Sequence, residues 1–140
     1  MNIHASCAAR DGAGVLLIGP PGSGKSDLLL RLLDDGFALV ADDRVEIGGG
    51  VARPPAALAG LLEVRGLGIF RLPHAASARL VLVVELSGER ERMPHPATHA
   101  ATGLPLVRID PASVSAPARV RLAFDAALGR VAQVAGAFAA

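Results

Sequence analysis

One stretch of this sequence has residue types and spacing suited to phosphate chemistry. Gly19-Pro20-Pro21-Gly22-Ser23-Gly24-Lys25-Ser26 fits the pattern G-x-x-x-x-G-K-[ST] at every defined position. Glycines let a backbone curl until successive N–H groups converge on an anion. A helix opening at the end of the loop adds its N-terminal dipole. Lys25 carries a compact charge on a long stem and can reach the β- and γ-phosphates of a nucleotide, while the Ser26 hydroxyl oxygen can ligate Mg²⁺. Lys25 is also the one lysine of the chain, beside thirteen arginines. A single lysine kept in so arginine-rich a chain points to a task that a planar guanidinium does not perform.

Transfer of a phosphoryl group needs more than a cradle: an acid near the metal, and a group that handles the acceptor. Asp42 and Asp43 close the apolar run that follows the loop's helix. In a parallel α/β unit that strand end lies on the same edge of the sheet as the loop. Successive residues of a regular strand face opposite ways, so the two carboxylates would take different jobs. One of them can approach a γ-phosphate as general base. Glu85 also ends an apolar run, but Asp42 and Asp43 follow the loop's helix directly and are preferred for the acidic role. Read alone, His4 is a strand residue with a hydrogen-bonded ring, and Glu63 a solvated charge beside an apolar run. His95 and His99 have a metal-like spacing but no evident third ligand, and read with His74 as loop residues. Cys7 reads as a small apolar strand residue, and Glu89-Arg90-Glu91-Arg92 as an exposed turn of mixed charge.

The elements that must position these groups follow from the hydropathy pattern. Residues 2–8 alternate weakly as a strand, and 14–19 form a short buried strand. SDLLLRLLDDG reads as a helix stopped at Gly36, and 37–42 as a second buried strand. Strand, glycine loop, helix and strand make a βαβ unit, so the expectation is an α/β fold with parallel pairing. VEIGGGVARPP reads as a hairpin with a glycine-rich tip, and 56–62 as a short helical turn. Gly66 and Gly68 interrupt 61–72, which predicts a bent or looped segment. Residues 78–86 are the clearest buried strand, 87–103 a surface loop, and 104–110 a further strand. A last helix begins near Ser115 with Pro117 in its first turn. Val120, Ala123, Phe124, Ala127 and Leu128 share one face of it, and Gly129 ends or interrupts it.

Composition narrows the class. A chain of 140 residues is one domain's worth, so 1–140 is read as a single domain. With 51% hydrophobic and 19% charged residues it can build a core. A net charge of +1 and no Trp or Tyr argue against nucleic acid as a partner. One cysteine excludes an intrachain disulfide framework. No apolar run approaches the ~20 residues that span a bilayer, and the N-terminus lacks the pattern of a secretory signal. The expectation is a cytoplasmic protein with no membrane segment.

The loop, LVADDRV (39–45) and LEVRGLGI (62–69), in this order, resemble the catalytic domain of HPr kinase/phosphorylase. The resemblance runs from His4 to the last helix and is weakest over 87–103. It implies a P-loop fold of the phosphoenolpyruvate carboxykinase type, a mixed sheet with flanking helices, in a short form that carries the catalytic domain alone. The implied activity is ATP-dependent phosphorylation of a serine of HPr, the phosphocarrier of the sugar phosphotransferase system. Removal of that phosphate by phosphorolysis, with phosphate taken up and pyrophosphate released, comes with it. The implied cofactors are ATP and Mg²⁺, the implied partner is HPr, and the implied assembly is a homo-oligomer, a hexamer in the family. By the same resemblance Gly19 through Ser26 bind the nucleotide, and Ser26 and Glu63 ligate Mg²⁺. Asp43 accepts the proton in the kinase direction and donates it in phosphorolysis. Asp42 helps hold metal or orient the base, His4 is a catalytic-site histidine, and Leu62 to Arg71 serve both reactions.

Two departures stand out. Asp27 occupies a position where the resembled family usually has Glu. An arginine expected ahead of the last helix has no counterpart in Val114-Ser115-Ala116-Pro117, although Arg108 and Arg119 flank the gap. Two other functions therefore stay open on sequence: a non-catalytic nucleotide-binding regulator, and a P-loop phosphotransferase with a small-molecule substrate.

Overall fold

The computed structural model describes residues 1–89 and 91–139, so Arg90 of the mixed-charge turn lies outside the described residues. Strands β1 (Asn2–Ile3), β2 (Ser6–Arg10) and β3 (Ala13–Ile18) precede helix α1 (Lys25–Asp34). Strands β4 (Ala38–Ala41), β5 (Val45–Gly48) and β6 (Val51–Arg53) follow, then a 3-10 turn at Ala56–Leu58. Strands β7 (Leu61–Val64), β8 (Gly68–Arg71), β9 (Ala78–Leu86) and β10 (Leu106–Ile109) lead to helix α2 (Ala116–Ala127). The main sheet runs β1-β5-β6-β9-β3-β2-β4, with β10 also paired to β9. It is mixed: β3, β9 and β10 run parallel, and the other pairings are antiparallel.

The parallel pairing expected inside the βαβ unit does not form. Strand β4 pairs antiparallel with β2, and β2 pairs antiparallel with β3. Two reversals leave β4 parallel to β3 but one strand away. The consequence for the site survives, because both strands end at the same sheet edge. The inserted strand can fit because β2 is made of small residues, Ser6-Cys7-Ala8-Ala9, buried on both faces. The weak strand over 2–8 is in fact broken: β1 pairs with β5, β2 pairs elsewhere, and His4 stands in the gap between them.

Strands β3 and β9 are near-continuous apolar runs because both of their faces are covered. On one face Val15, Leu17, Leu82 and Val84 pack with Leu28, Leu29 and Leu32 of α1 and with Val120 and Phe124 of α2. On the other, Cys7, Leu16, Val40, Leu80 and Val83 form a second cluster. Each fully buried Leu or Val stabilises the fold by roughly 1.5–3 kcal/mol relative to exposure. Phe37 meets Phe124 edge to face at 5.3 Å, which ties the end of α1 to α2. Burial pushes the Cys7 thiol up to about 12, so it remains a thiol within the core.

Both helices end as the glycines predict. Gly36 adopts φ 95°, its N–H reaches Leu33 O, and Phe37 N–H reaches Leu32 O, which is a Schellman closure. Gly129 closes α2 in the same way, donating to Ala126 O while Arg130 donates to Asp125 O. The 45–53 hairpin turns at Gly49-Gly50 as expected. The bent segment expected over 61–72 is instead a regular hairpin, β7 paired antiparallel with β8 from Leu61↔Arg71 to Val64↔Gly68. Its glycines stand in and just after the turn, so they allow the reversal rather than interrupting a strand. No helix of the described residues is long and apolar enough to cross a membrane.

Candidate active site

The G-x-x-x-x-G-K-S stretch joins the end of β3 to the start of α1. Gly19 is required by close approach: a Cβ there would fall 2.6 Å from Ser23 Oγ. Gly24 is required by backbone, since it caps the helix at φ 100°. The first N–H groups of α1 have no intrahelical acceptor and face the loop's mouth. Lys25 is buried, and its Nζ donates to Gly19 O at 2.7 Å and Pro20 O at 3.0 Å. Burial pushes its pKa below the ordinary lysine value, while the charges of Asp43 and Asp42 act upward. The loop also holds a polar atom with nothing to bind: Ser23 Oγ is buried and has no hydrogen-bond partner. An orphaned hydroxyl inside a glycine cradle suits a group rich in acceptor oxygens, such as a phosphate.

The two aspartates divide their contacts. Asp42 Oδ1 accepts from Ser26 Oγ at 2.8 Å and from Ser6 Oγ at 2.9 Å. Asp43 Oδ1 lies 2.6 Å from His4 Nε2, an ion pair when the ring is protonated. The strand end is not regular, and this decides which side each residue serves. Cys7 is opposite Ala41 while Ala8 is opposite Leu39, so Val40 is an extra residue on β4, a bulge. Val40 and Ala41 therefore both pack in the cluster away from α1, and Asp42 is turned toward the helix and Ser26. Asp43 then takes φ 71°, uncommon for a residue other than glycine, and places its carboxylate by His4. His4 reaches it because of the gap between β1 and β2, where Ala5 N–H also donates to Asp43 O at 3.2 Å.

Glu63 comes from β7, and its hairpin neighbours Val64 and Arg65 close the same cleft of about 470 Å³. His4, Gly22, Gly24, Lys25, Ser26 and Asp43 form its other walls. The carboxylate and hydroxyl oxygens here are hard donors, which suit Mg²⁺. No group of three or more His, Cys, Asp or Glu able to hold a metal occurs among the described residues.

The predicted site residues thus gather at one edge of the main sheet, except Glu63, which the separate two-stranded β7–β8 sheet brings to the cleft; Asp42 lies just behind the cleft wall, bonded to Ser26. The two arginines flanking Val114–Pro117 do not join them. Arg108 pairs with Glu85 at 2.7 Å, Arg119 Nε donates to Ser115 Oγ at 2.7 Å, and both line a different cavity. The arginine that lines the cleft is Arg65. Sequence reasoning included Arg65 only within the 62–71 segment assigned to both reactions and gave it no role of its own. It also missed Ser6, whose signal was a lone hydroxyl in a strand of small apolar residues. His99 Nδ1 lies 2.9 Å from Thr102 Oγ1, a local loop contact.

Comparison with known proteins gives the family and the fold. The family model described as the HPr Serine kinase C-terminal domain matches residues 1–88. The chain belongs to this family. The HPr kinase/phosphorylase of Clostridium tetani (strain Massachusetts / E88) is 41% identical over 90 residues, 61% of this chain and 30% of that protein. The matched part is thus under a third of the relative's length. Among solved structures, the Hpr(Ser) kinase/phosphatase from Coxiella burnetii superposes with a TM-score of 0.75. It covers 93% of this chain and 92% of that chain at 24% identity, which establishes the shared mixed α/β fold.

Proposed function

We propose that this chain is an ATP-dependent serine kinase of the phosphocarrier HPr that also removes the phosphate by phosphorolysis. The observation that carries the reading is the convergence of Lys25, the Asp42-bonded Ser26 and the His4–Asp43 pair around one glycine cradle. The loop N–H groups and Lys25 hold the β- and γ-phosphates. Ser26 and Glu63 ligate Mg²⁺, which when bound neutralises phosphate charge. Arg65 adds a guanidinium from the hairpin.

In the kinase direction Asp43 takes the proton of the acceptor serine as its oxygen bonds to the γ-phosphorus. The bond to the β–γ bridging oxygen breaks, and ADP leaves. His4, 2.6 Å from Asp43, orients that carboxylate. In the reverse direction a phosphate oxygen attacks the phosphoserine phosphorus. Asp43, now protonated, returns its proton to the departing seryl oxygen, and pyrophosphate leaves. A cradle that grips phosphate through backbone N–H groups serves a nucleotide and free phosphate alike. The reading includes a homo-oligomer, hexameric by the resemblance, and a cytoplasmic location. The exposed Leu67, Ile69 and Phe70 of the β7–β8 hairpin favour contact with another protein surface beside the cleft.

The test is to mix the purified chain with HPr and Mg-ATP and to look for phosphoserine on HPr by mass spectrometry. Phosphate added to the modified HPr should then release pyrophosphate. Bound ATP without phosphoserine would favour the nucleotide-binding regulator. Transfer to small molecules alone would favour a metabolite phosphotransferase.

A further inference from the structure

Among the described residues, two polar or charged side chains are buried: Lys25 and Ser6. Lys25 belongs to the phosphate loop. Ser6 belongs to no motif, yet it is wholly excluded from solvent. Its face of β2 also carries Ala8, and Leu17 lies directly across the β2–β3 ladder, both in the core beneath α1. A hydroxyl in such surroundings is destabilising unless an acceptor meets it. The acceptor is Asp42 Oδ1 at 2.9 Å, the same oxygen that accepts from Ser26 at 2.8 Å.

We infer that Ser6 is a positioning residue for the divalent cation: its buried hydroxyl pins Asp42 Oδ1, and Asp42 in turn fixes the direction of the Ser26 hydroxyl. This rests on the reading of the cleft as a Mg-nucleotide site. A carboxylate turns readily about its last torsion. Ser26, at the mouth of the loop, can follow it and bond either oxygen. Ser6 cannot follow, because it is held opposite Leu17 in the β2–β3 ladder and its short side chain is packed in the core. With the carboxylate pinned, the Ser26 proton is committed to Asp42 and the oxygen lone pairs remain for a cation. Ser6 does not line the cleft, and its hydroxyl bonds to Asp42, so its removal should alter cation affinity and spare the phosphate cradle. Partners that orient a metal ligand in this way are commonly worth 10–100-fold in metal affinity.

The experiment is a Mg²⁺ titration of fluorescent ATP-analogue binding by wild type, Ser6→Ala and Ser6→Thr, with a parallel series in EDTA and a thermal melt of each. In EDTA all three should bind the analogue alike. The Mg²⁺ concentration that half-saturates the gain in affinity should rise roughly tenfold in Ser6→Ala and stay within about twofold of wild type in Ser6→Thr. Ser6→Ala following the wild-type Mg²⁺ curve would overturn the inference. If Ala loosens the strand, Ser6→Thr against Ser6→Val repeats the contrast in one shape, and an equal shift in both would overturn it. Failure of wild type to bind the analogue in either series would overturn the nucleotide reading of the cleft, and the inference with it.

Discussion

Two concavities of the molecule differ in what lines them, and the larger is the more apolar. The cavity between β10, α2 and the C-terminal segment encloses about 860 Å³, against about 470 Å³ for the cleft over the phosphate loop. Leu122, Ala123, Ala126 and Phe138 line the larger wall beside charged residues such as Glu89 and Arg92, and its arginines include Arg108, held by Glu85, and Arg119, bonded to Ser115. The smaller cleft draws a buried lysine, a strand-end aspartate, a histidine and the hairpin glutamate from four separate segments, with the second strand-end aspartate behind its wall on Ser26. All residues lining the larger cavity follow residue 88, where the family match ends. Size alone does not mark the site. What marks it is a convergence of polar groups that the fold holds in place against their cost of burial.

That contrast can be broken by mutation. Lys25→Ala should abolish nucleotide binding and transfer together, since no second lysine exists to replace it; isothermal titration with Mg-ATP measures the first and phosphoserine formation the second. Retained affinity would detach the chemistry from the loop. Asp43→Asn should lower serine phosphorylation by about 10²-fold while nucleotide affinity holds, because general-base help is lost and the cradle is not. If Asp42→Asn abolishes transfer through the base and Asp43→Asn does not, the two carboxylates have exchanged roles. Arg65→Ala should cost about tenfold in transfer, the worth of one charge-assisted hydrogen bond. Arg108→Ala and Arg119→Ala should leave transfer within about twofold, since one ends an exposed ion pair, the other bonds a serine hydroxyl, and both line the other cavity. A larger loss in either would join that cavity to the reaction.

Much of this was legible in the sequence. The loop, the helix stops at Gly36 and Gly129, the Gly49-Gly50 turn and the β9 run all follow from local chemistry, and local chemistry is what a sequence displays. The hairpin at 61–72 was misread because a glycine just beyond a turn looks the same as one that breaks a strand. The rest depended on pairing between distant segments. Nothing near Val40 announces a bulge, since the extra residue exists only relative to β2. The insertion of β2 between β3 and β4 is likewise a property of the whole sheet. Ser6 became meaningful only when that insertion set it against Asp42. The division of work between the two aspartates was anticipated from strand alternation, but it is the departure from alternation that turns Asp42 toward Ser26.

The most direct test of the account locates the nucleotide. An ATP analogue with a photoreactive group on its γ-phosphate should be crosslinked in the presence of Mg²⁺ and the labelled peptides sequenced. The account predicts label on the hairpin around Glu63–Arg65 or on the loop from Gly19 to Ser26, competed by ATP. Label confined to residues 91–138, with the loop and hairpin clean, would contradict it.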